Sequence, residues 1–153
     1  MIAPERTASI TRAALRYCAQ RGWAPLAEMP LPNGRRADIL ALAPDGQFAV
    51  LEVKSTARDF LADRKWPEYR AYCDQIYFAV DLDFPQVLLP AEAGLVVADG
   101  PEATLLREAP THPLAPARRR ALLLRFARQA AGRLAALADP AGFAELRAAL
   151  RLE

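Results

Sequence analysis

Histidine is almost absent from this chain: His112 is the only one. Cys18 and Cys73 stand apart, with no CxxC spacing and no histidine beside them. A Cys/His zinc centre and a histidine-based triad are therefore excluded. The two thiols read as reduced core residues of a cytoplasmic protein, not as a disulfide. No run of 18 apolar residues occurs, so no transmembrane helix is expected. The opening MIAPERTASITR lacks the apolar stretch of a signal peptide. Lysine is scarce too: Lys54 and Lys65 are the only two among 20 basic residues, and the rest are arginine.

The 153 residues, 53% hydrophobic and 25% charged, suit one globular domain with a real core. The expected domain spans 1–153, with C-terminal helices at about 116–151 packed on it. The net charge of +2 hides an asymmetry. Residues 1–106 carry 11 basic and 14 acidic groups, whereas residues 107–153 carry nine arginines and four acids. A basic tail of this kind either meets a polyanion or forms a solvated helix face.

The most informative stretch is RADILALAPDGQFAVLEVK, Arg36 to Lys54. Strand-type runs at 37–43 and 47–54 flank Pro44-Asp45-Gly46, a hairpin signal. With those three residues as the loop, paired positions have numbers summing to 90, so Asp38 faces Glu52. Opposed residues share a side of the sheet, and Lys54, two beyond Glu52, shares it as well. The pattern thus gathers two carboxylates and one ammonium. Opposed like charges destabilise a strand pair, a cost best offset by a cation between them. A hard divalent ion prefers such oxygen ligands, and it can polarise a phosphate and acidify bound water. The competing reading makes each carboxylate a strand-end surface group neutralised by an arginine. Carboxylates beside Leu40 and Val50 suit that reading poorly.

Elsewhere the pattern predicts a helix from Pro4 to Arg21, ended by Gly22. An extended piece follows at 23–32, with Asn33-Gly34 turning into the hairpin. The hairpin is apolar on both faces: Leu40, Leu42, Phe48 and Val50 on the carboxylate side, Ile39, Ala41, Leu51 and Val53 on the other. Such strands belong inside a sheet covered by helices, an α/β sandwich. Next come a loop with a short helical segment at 55–64, a helix from Pro67 to about Asp74, and strands at 76–80, 95–98 and 103–107. A long helix is expected from Pro116 to about Ala138, with Leu122, Phe126, Ala130, Leu134 and Leu137 as its apolar stripe. A last short helix covers 141–150.

Asp38 followed by Glu52-Val53-Lys54 resembles the D…ExK signature of the PD-(D/E)XK nucleases, with Ala37 where a proline is usual. The wider text, EVKSTARDFLADRKWPEYRAYCDQIYFAV and then LLPAEAGLVVAD, is similar to the MmcB-like DNA repair proteins, a bacterial branch of that superfamily. The similarity spans roughly residues 5–130. It implies a restriction-endonuclease-like fold, a central mixed β-sheet with an antiparallel meander flanked by helices. It also implies a role in DNA repair as a Mg²⁺- or Mn²⁺-dependent nuclease, with a non-cleaving DNA- or protein-binding repair accessory as the alternative. In that scheme Asp38, Glu52 and Lys54 are catalytic. Asp38, Glu52 and the Val53 backbone carbonyl hold the metal, and Lys54 orients or activates the attacking water. Superfamily members often add a glutamate from the first helix; Glu5 is that candidate, a favourable first-turn charge is its other explanation, and Glu28 is the rival. Nucleases of this kind often dimerise, so a homodimer is entertained beside DNA as partner.

Arg58, Asp59, Asp63, Arg64, Lys65, Trp66 and Tyr69 follow the motif closely. Lys65 and Trp66 suit phosphate contact and base stacking, or else an Asp/Arg salt-bridge surface with a half-buried tryptophan. Arg118, Arg119 and Arg120 suit a duplex backbone or solvated surface. Cations at a helix start oppose its dipole, which favours a partner for them.

Overall fold

The computed structural model of the chain describes residues 1–151; 152 and 153 lie outside the described residues. Two compact units result, Met1–Pro113 and a second from Leu114 onward. The first holds a six-stranded mixed sheet in sequential order, with strands β1 (Ala24–Pro30), β2 (Arg36–Leu42), β3 (Phe48–Val53), β4 (Gln75–Asp81), β5 (Gly94–Asp99) and β6 (Glu102–Arg107). β1, β2 and β3 form the antiparallel meander. β3, β4 and β5 run parallel, and β6 returns antiparallel. This is the mixed α/β sheet expected.

The central hairpin has the predicted register: Ile39 opposes Leu51, Ala41 opposes Ala49 and Leu42 opposes Phe48. Its loop closes by Ala43 N–H donating to Gln47 O (2.8 Å) and Gly46 N–H donating to Ala43 O (3.0 Å). Gly46 takes φ +89°, which a side chain would resist. All six β3 residues are buried, as a strand covered on both faces requires.

Helix α1 (Ala3–Gln20) covers one face. Its Ile10, Ala13, Ala14, Tyr17 and Cys18 pack with Ile39, Leu51, Tyr77, Val96 and Ala98. The helix is tied at both ends. Near its start, Arg6 grips the Asp81 carboxylate with Nε and Nη2, both at 3.0 Å. Thr7 Oγ1 donates to Ser55 Oγ at 3.1 Å. Beyond its end, Arg21 donates to Tyr17 Oη and Glu108 and lies 4.2 Å over the Trp23 ring. Tyr77 Oη also donates to Glu108.

On the opposite face, α2 (Ala57–Ala62) and a 3₁₀ segment at Trp66–Tyr72 bring aromatic rings onto β4. Phe60 and Trp66 meet Phe78 edge-on at 5.3 and 5.5 Å, and Phe60 meets Phe84 at 6.4 Å. The helix expected from Pro67 is therefore a 3₁₀ turn. At seven residues it is long for that tighter helix, and Pro67 sits in its first turn, where a missing N–H costs nothing. Both cysteines are buried and unpaired.

The second unit has α3 (Pro116–Ala138), a 3₁₀ turn at Pro140–Gly142 and α4 (Phe143–Leu150). The expected α3 stripe needs correcting. Leu122 and Phe126 are buried, and the line continues through Gln129 and Gly132. Leu134 and Leu137 are exposed; at about 100° per residue, Leu134 falls roughly a third of a turn away from Leu122.

A tight contact makes one prediction. A Cβ added at Gly94 would lie 2.3 and 2.6 Å from two Tyr77 ring carbons and 2.9 Å from the Ala109 nitrogen. Tyr77 is fully buried and Gly94 is its register partner in β5, so little can yield. Gly94→Ala should lose about 1–3 kcal/mol, read as a lower urea midpoint; an unchanged midpoint would show that this packing relaxes freely.

Candidate active site where β2 and β3 part

The meander and the parallel half of the sheet diverge at one place. The β2–β3 ladder runs only as far as Ile39–Leu51. β2 continues beside β1 to Arg36, and β3 continues beside β4 to Val53. Where the backbone ladder stops, side chains take over. Asp38 N–H donates to Glu52 Oε1 at 3.0 Å, and Val53 N–H donates to Asp38 Oδ2 at 2.8 Å. Each carboxylate thus caps a backbone amide, on opposite strands.

Beside the pair is a cleft of about 670 Å³. Asp38, Glu52, Val53 and Lys54 line it together with Thr7 of α1, Ser55, Asp59, Asp63, Lys65 and Tyr69. Glu52 and Lys54 are buried. The Lys54 ammonium does not bond to the carboxylate pair; its Nζ lies 2.6 Å from Asp63 Oδ2. The Tyr69 hydroxyl donates to Arg36 O at 3.1 Å, closing the cleft on the β2 side.

The family described as DNA repair protein MmcB-like matches residues 2–141. The chain belongs to the MmcB-like DNA repair protein family. It is similar to a solved protein of unknown function from Silicibacter pomeroyi, with a TM-score of 0.85 and 42% identity over 92% of this chain and 97% of that one. A repair endonuclease from Pyrococcus abyssi aligns with a TM-score of 0.33 and 15% identity, over 66% of this chain and 41% of that one. No curated protein matches. No helix among the described residues is long and apolar enough to cross a membrane.

Within this MmcB-like chain the candidate residues separate into two sets. Asp38, Glu52, Val53, Lys54 and Lys65 share the cleft. The others do not line it. Glu5 is exposed, and its carboxylate accepts from Ile2 N–H at 3.2 Å, which caps the start of α1. Glu28 is an exposed strand residue, and the β1–β2 pairing skips it between Ala27 and Met29. It has φ 49°, an uncommon conformation for a residue with a side chain. Trp66 packs on Phe78 with Arg70 5.7 Å over its ring, so its stacking surface serves the fold. Arg118, Arg119 and Arg120 begin α3 in the second unit. Sequence reasoning missed Asp63 as the lysine's partner. The one available signal was an acid nine residues beyond Lys54, and loops offer no periodicity by which to place it.

Burial, and then the Asp38 charge, push the Glu52 carboxyl up to about 9. Burial also raises Asp38, against the Val53 amide and Lys54. The pair therefore retains a proton near neutrality. Burial works to lower Lys54, but the Asp63 hydrogen bond and the surrounding carboxylates outweigh it and hold the ammonium above its usual value. Its chemistry here is that of a fixed positive donor. Among the described residues no three His, Cys, Asp or Glu side chains converge. Asp38 and Glu52 offer carboxylate oxygen at the cleft, the ligand type that a hard ion such as Mg²⁺ or Mn²⁺ prefers.

The sign of the pH dependence follows. Glu52 titrates near 4.5 when unfolded and about 9 when folded, so the folded state binds more protons between those values. Its contribution is complete below about 4.5 and disappears as pH rises through about 9. Urea midpoints of the metal-free protein should fall over that range, and Glu52→Gln should flatten the slope. A wild-type midpoint that rises with pH over that window would contradict this assignment.

Proposed function

We propose that the chain is a Mg²⁺- or Mn²⁺-dependent nuclease that hydrolyses DNA phosphodiester bonds in repair. The observation that carries this reading is the Asp38–Glu52 pair, half-buried and buried respectively, set beside a buried lysine in an open cleft. Asp38, Glu52 and the Val53 carbonyl would hold the ion. Bound there, it would supply Lewis-acid polarisation of the phosphate and a more acidic water. Lys54 contributes a charged donor to the attacking water or a phosphate oxygen. Lys65, exposed at the cleft rim, is suited to a neighbouring phosphate. Family membership supports a DNA substrate.

A second reading keeps the same site without cleavage. Asp38 and Glu52 already cap two backbone amides, a structural role that a DNA- or protein-binding repair accessory would also need.

Labelled single-stranded, branched and duplex DNA, incubated with Mg²⁺ or Mn²⁺ and with chelator, separates the two. The nuclease reading expects cleavage that requires the ion and falls at least about 100-fold in Asp38→Asn and Glu52→Gln. Cleavage retained by either variant removes the site assignment, and DNA binding with no cleavage on any form favours the accessory. Lys54→Arg should bind DNA normally yet cut poorly, because a broad guanidinium does not replace a compact ammonium. Lys65→Arg should keep most activity. Equal rates for the two arginine variants would refute a specific role for Lys54.

A further inference from the structure

We propose that Asp63 is a positioning residue, whose carboxylate holds the Lys54 ammonium in place within the cleft. The catalytic consequence rests on the nuclease reading above; the contact itself does not.

Three observations converge on Asp63. Its Oδ2 lies 2.6 Å from Lys54 Nζ, with the two side chains 13% and 8% exposed. Its Oδ1 accepts the Lys65 N–H at 2.7 Å. Both carboxylate oxygens are thereby committed, one to each of the chain's two lysines. Its own backbone N–H closes α2 on Asp59 O and Phe60 O, at 3.2 and 3.1 Å. Thr56 caps the other end of α2 by accepting the Asp59 N–H at 3.1 Å, and Phe60 fixes the helix onto Phe78 and Phe84. A path of contacts therefore runs from the β4 core through α2 to Asp63 and on to Lys54.

The consequence is preorganisation. A lysine side chain carries about 2 kcal/mol of rotamer entropy, and an untethered ammonium would have to be ordered during each turnover. One Lys54 donor goes to Asp63, leaving two for a water or a phosphate oxygen. Asp63 already engages Lys54 Nζ and Lys65 N–H, one through each oxygen, and the proposed cation lies with Asp38 and Glu52, so removal of Asp63 should slow turnover without weakening cation or DNA binding.

The scarcity of lysine makes the test direct. In protein labelled with ¹⁵N-lysine, only Lys54 and Lys65 can give side-chain ammonium signals, and Lys54→Arg assigns them. The buried, bonded Lys54 should give a cross-peak protected from exchange. Asp63→Asn, which keeps the size and the acceptor for Lys65 N–H but drops the charge, should abolish or shift it. Asp63→Glu should restore it in part, and it serves if the asparagine variant does not fold. A Lys54 cross-peak unchanged in both variants overturns the proposal. Where wild type cleaves with Mn²⁺ and Glu52→Gln does not, Asp63→Asn should lower kcat about 10- to 100-fold with KM and Mn²⁺ affinity unchanged. An unaltered kcat, or a loss confined to KM or Mn²⁺ affinity, also overturns it. If wild type cuts no DNA, the nuclease reading fails and the ammonium spectrum alone decides whether Asp63 holds Lys54.

Discussion

Two carboxylate-to-amide hydrogen bonds, Glu52 to Asp38 N–H and Asp38 to Val53 N–H, let β2 and β3 separate. A buried amide without a partner costs about 1–3 kcal/mol, so strands do not part inside a sheet without compensation. Here the compensating acceptors are the two side chains whose mutual repulsion is hardest to explain otherwise. One geometry therefore serves two ends: the backbone is satisfied as the strands diverge, and two carboxylates come to lie beside a cleft. Their raised pKa values record the remaining cost, because burial and proximity leave the pair holding a proton.

The sheet around that opening is held by α1. Arg6 on Asp81 and Thr7 on Ser55 tie the start of the helix to the ends of β4 and β3. At the far end Arg21 gathers Tyr17, Tyr77 and Glu108. The helix thus spans the sheet from the cleft to the opposite edge. Carboxylates on strands braced in this way keep their separation better than carboxylates on a loop would.

The central hairpin was legible because its loop chemistry fixes the register. Once Pro44-Asp45-Gly46 is the loop, every pair from Leu42–Phe48 to Ile39–Leu51 follows, and the face of each side chain with it. The opposition of Asp38 and Glu52 needed no further information. Both lysines of the arginine-rich chain line the cleft. Less could be read where periodicity gives out. Trp66 and Asp63 lie in a 3₁₀ turn and a loop respectively, and their partners, Phe78 and Lys54, are chosen by tertiary packing. The side-chain capping at the end of the ladder was invisible too, since strand pattern gives register but not where a ladder stops. Glu28 illustrates the same limit, as nothing in PLAEMP marks a left-handed residue. The α3 stripe failed for a different reason: a helix rich in alanine and leucine offers several near-equivalent apolar lines, and burial selected the one through Gln129 and Gly132.

The charge balance of the cleft explains why Lys54 bonds to Asp63 rather than to the nearer pair in sequence. Asp38, Glu52, Asp59 and Asp63 line the space with only two lysines, and a polyanionic substrate would be repelled by that surplus without a bound cation. A lysine paired to Asp38 or Glu52 would relieve the surplus permanently, competing with any metal ion for the same oxygens. Asp63 removes that competition. It satisfies the buried ammonium locally, and among the described residues neither Asp38 nor Glu52 forms a salt bridge. In its place the pair holds a proton near neutrality. In the proposed nuclease, the ion pair one loop away would keep the carboxylates chemically available, and the cleft's acidity would call for a cation and would not be a barrier to substrate.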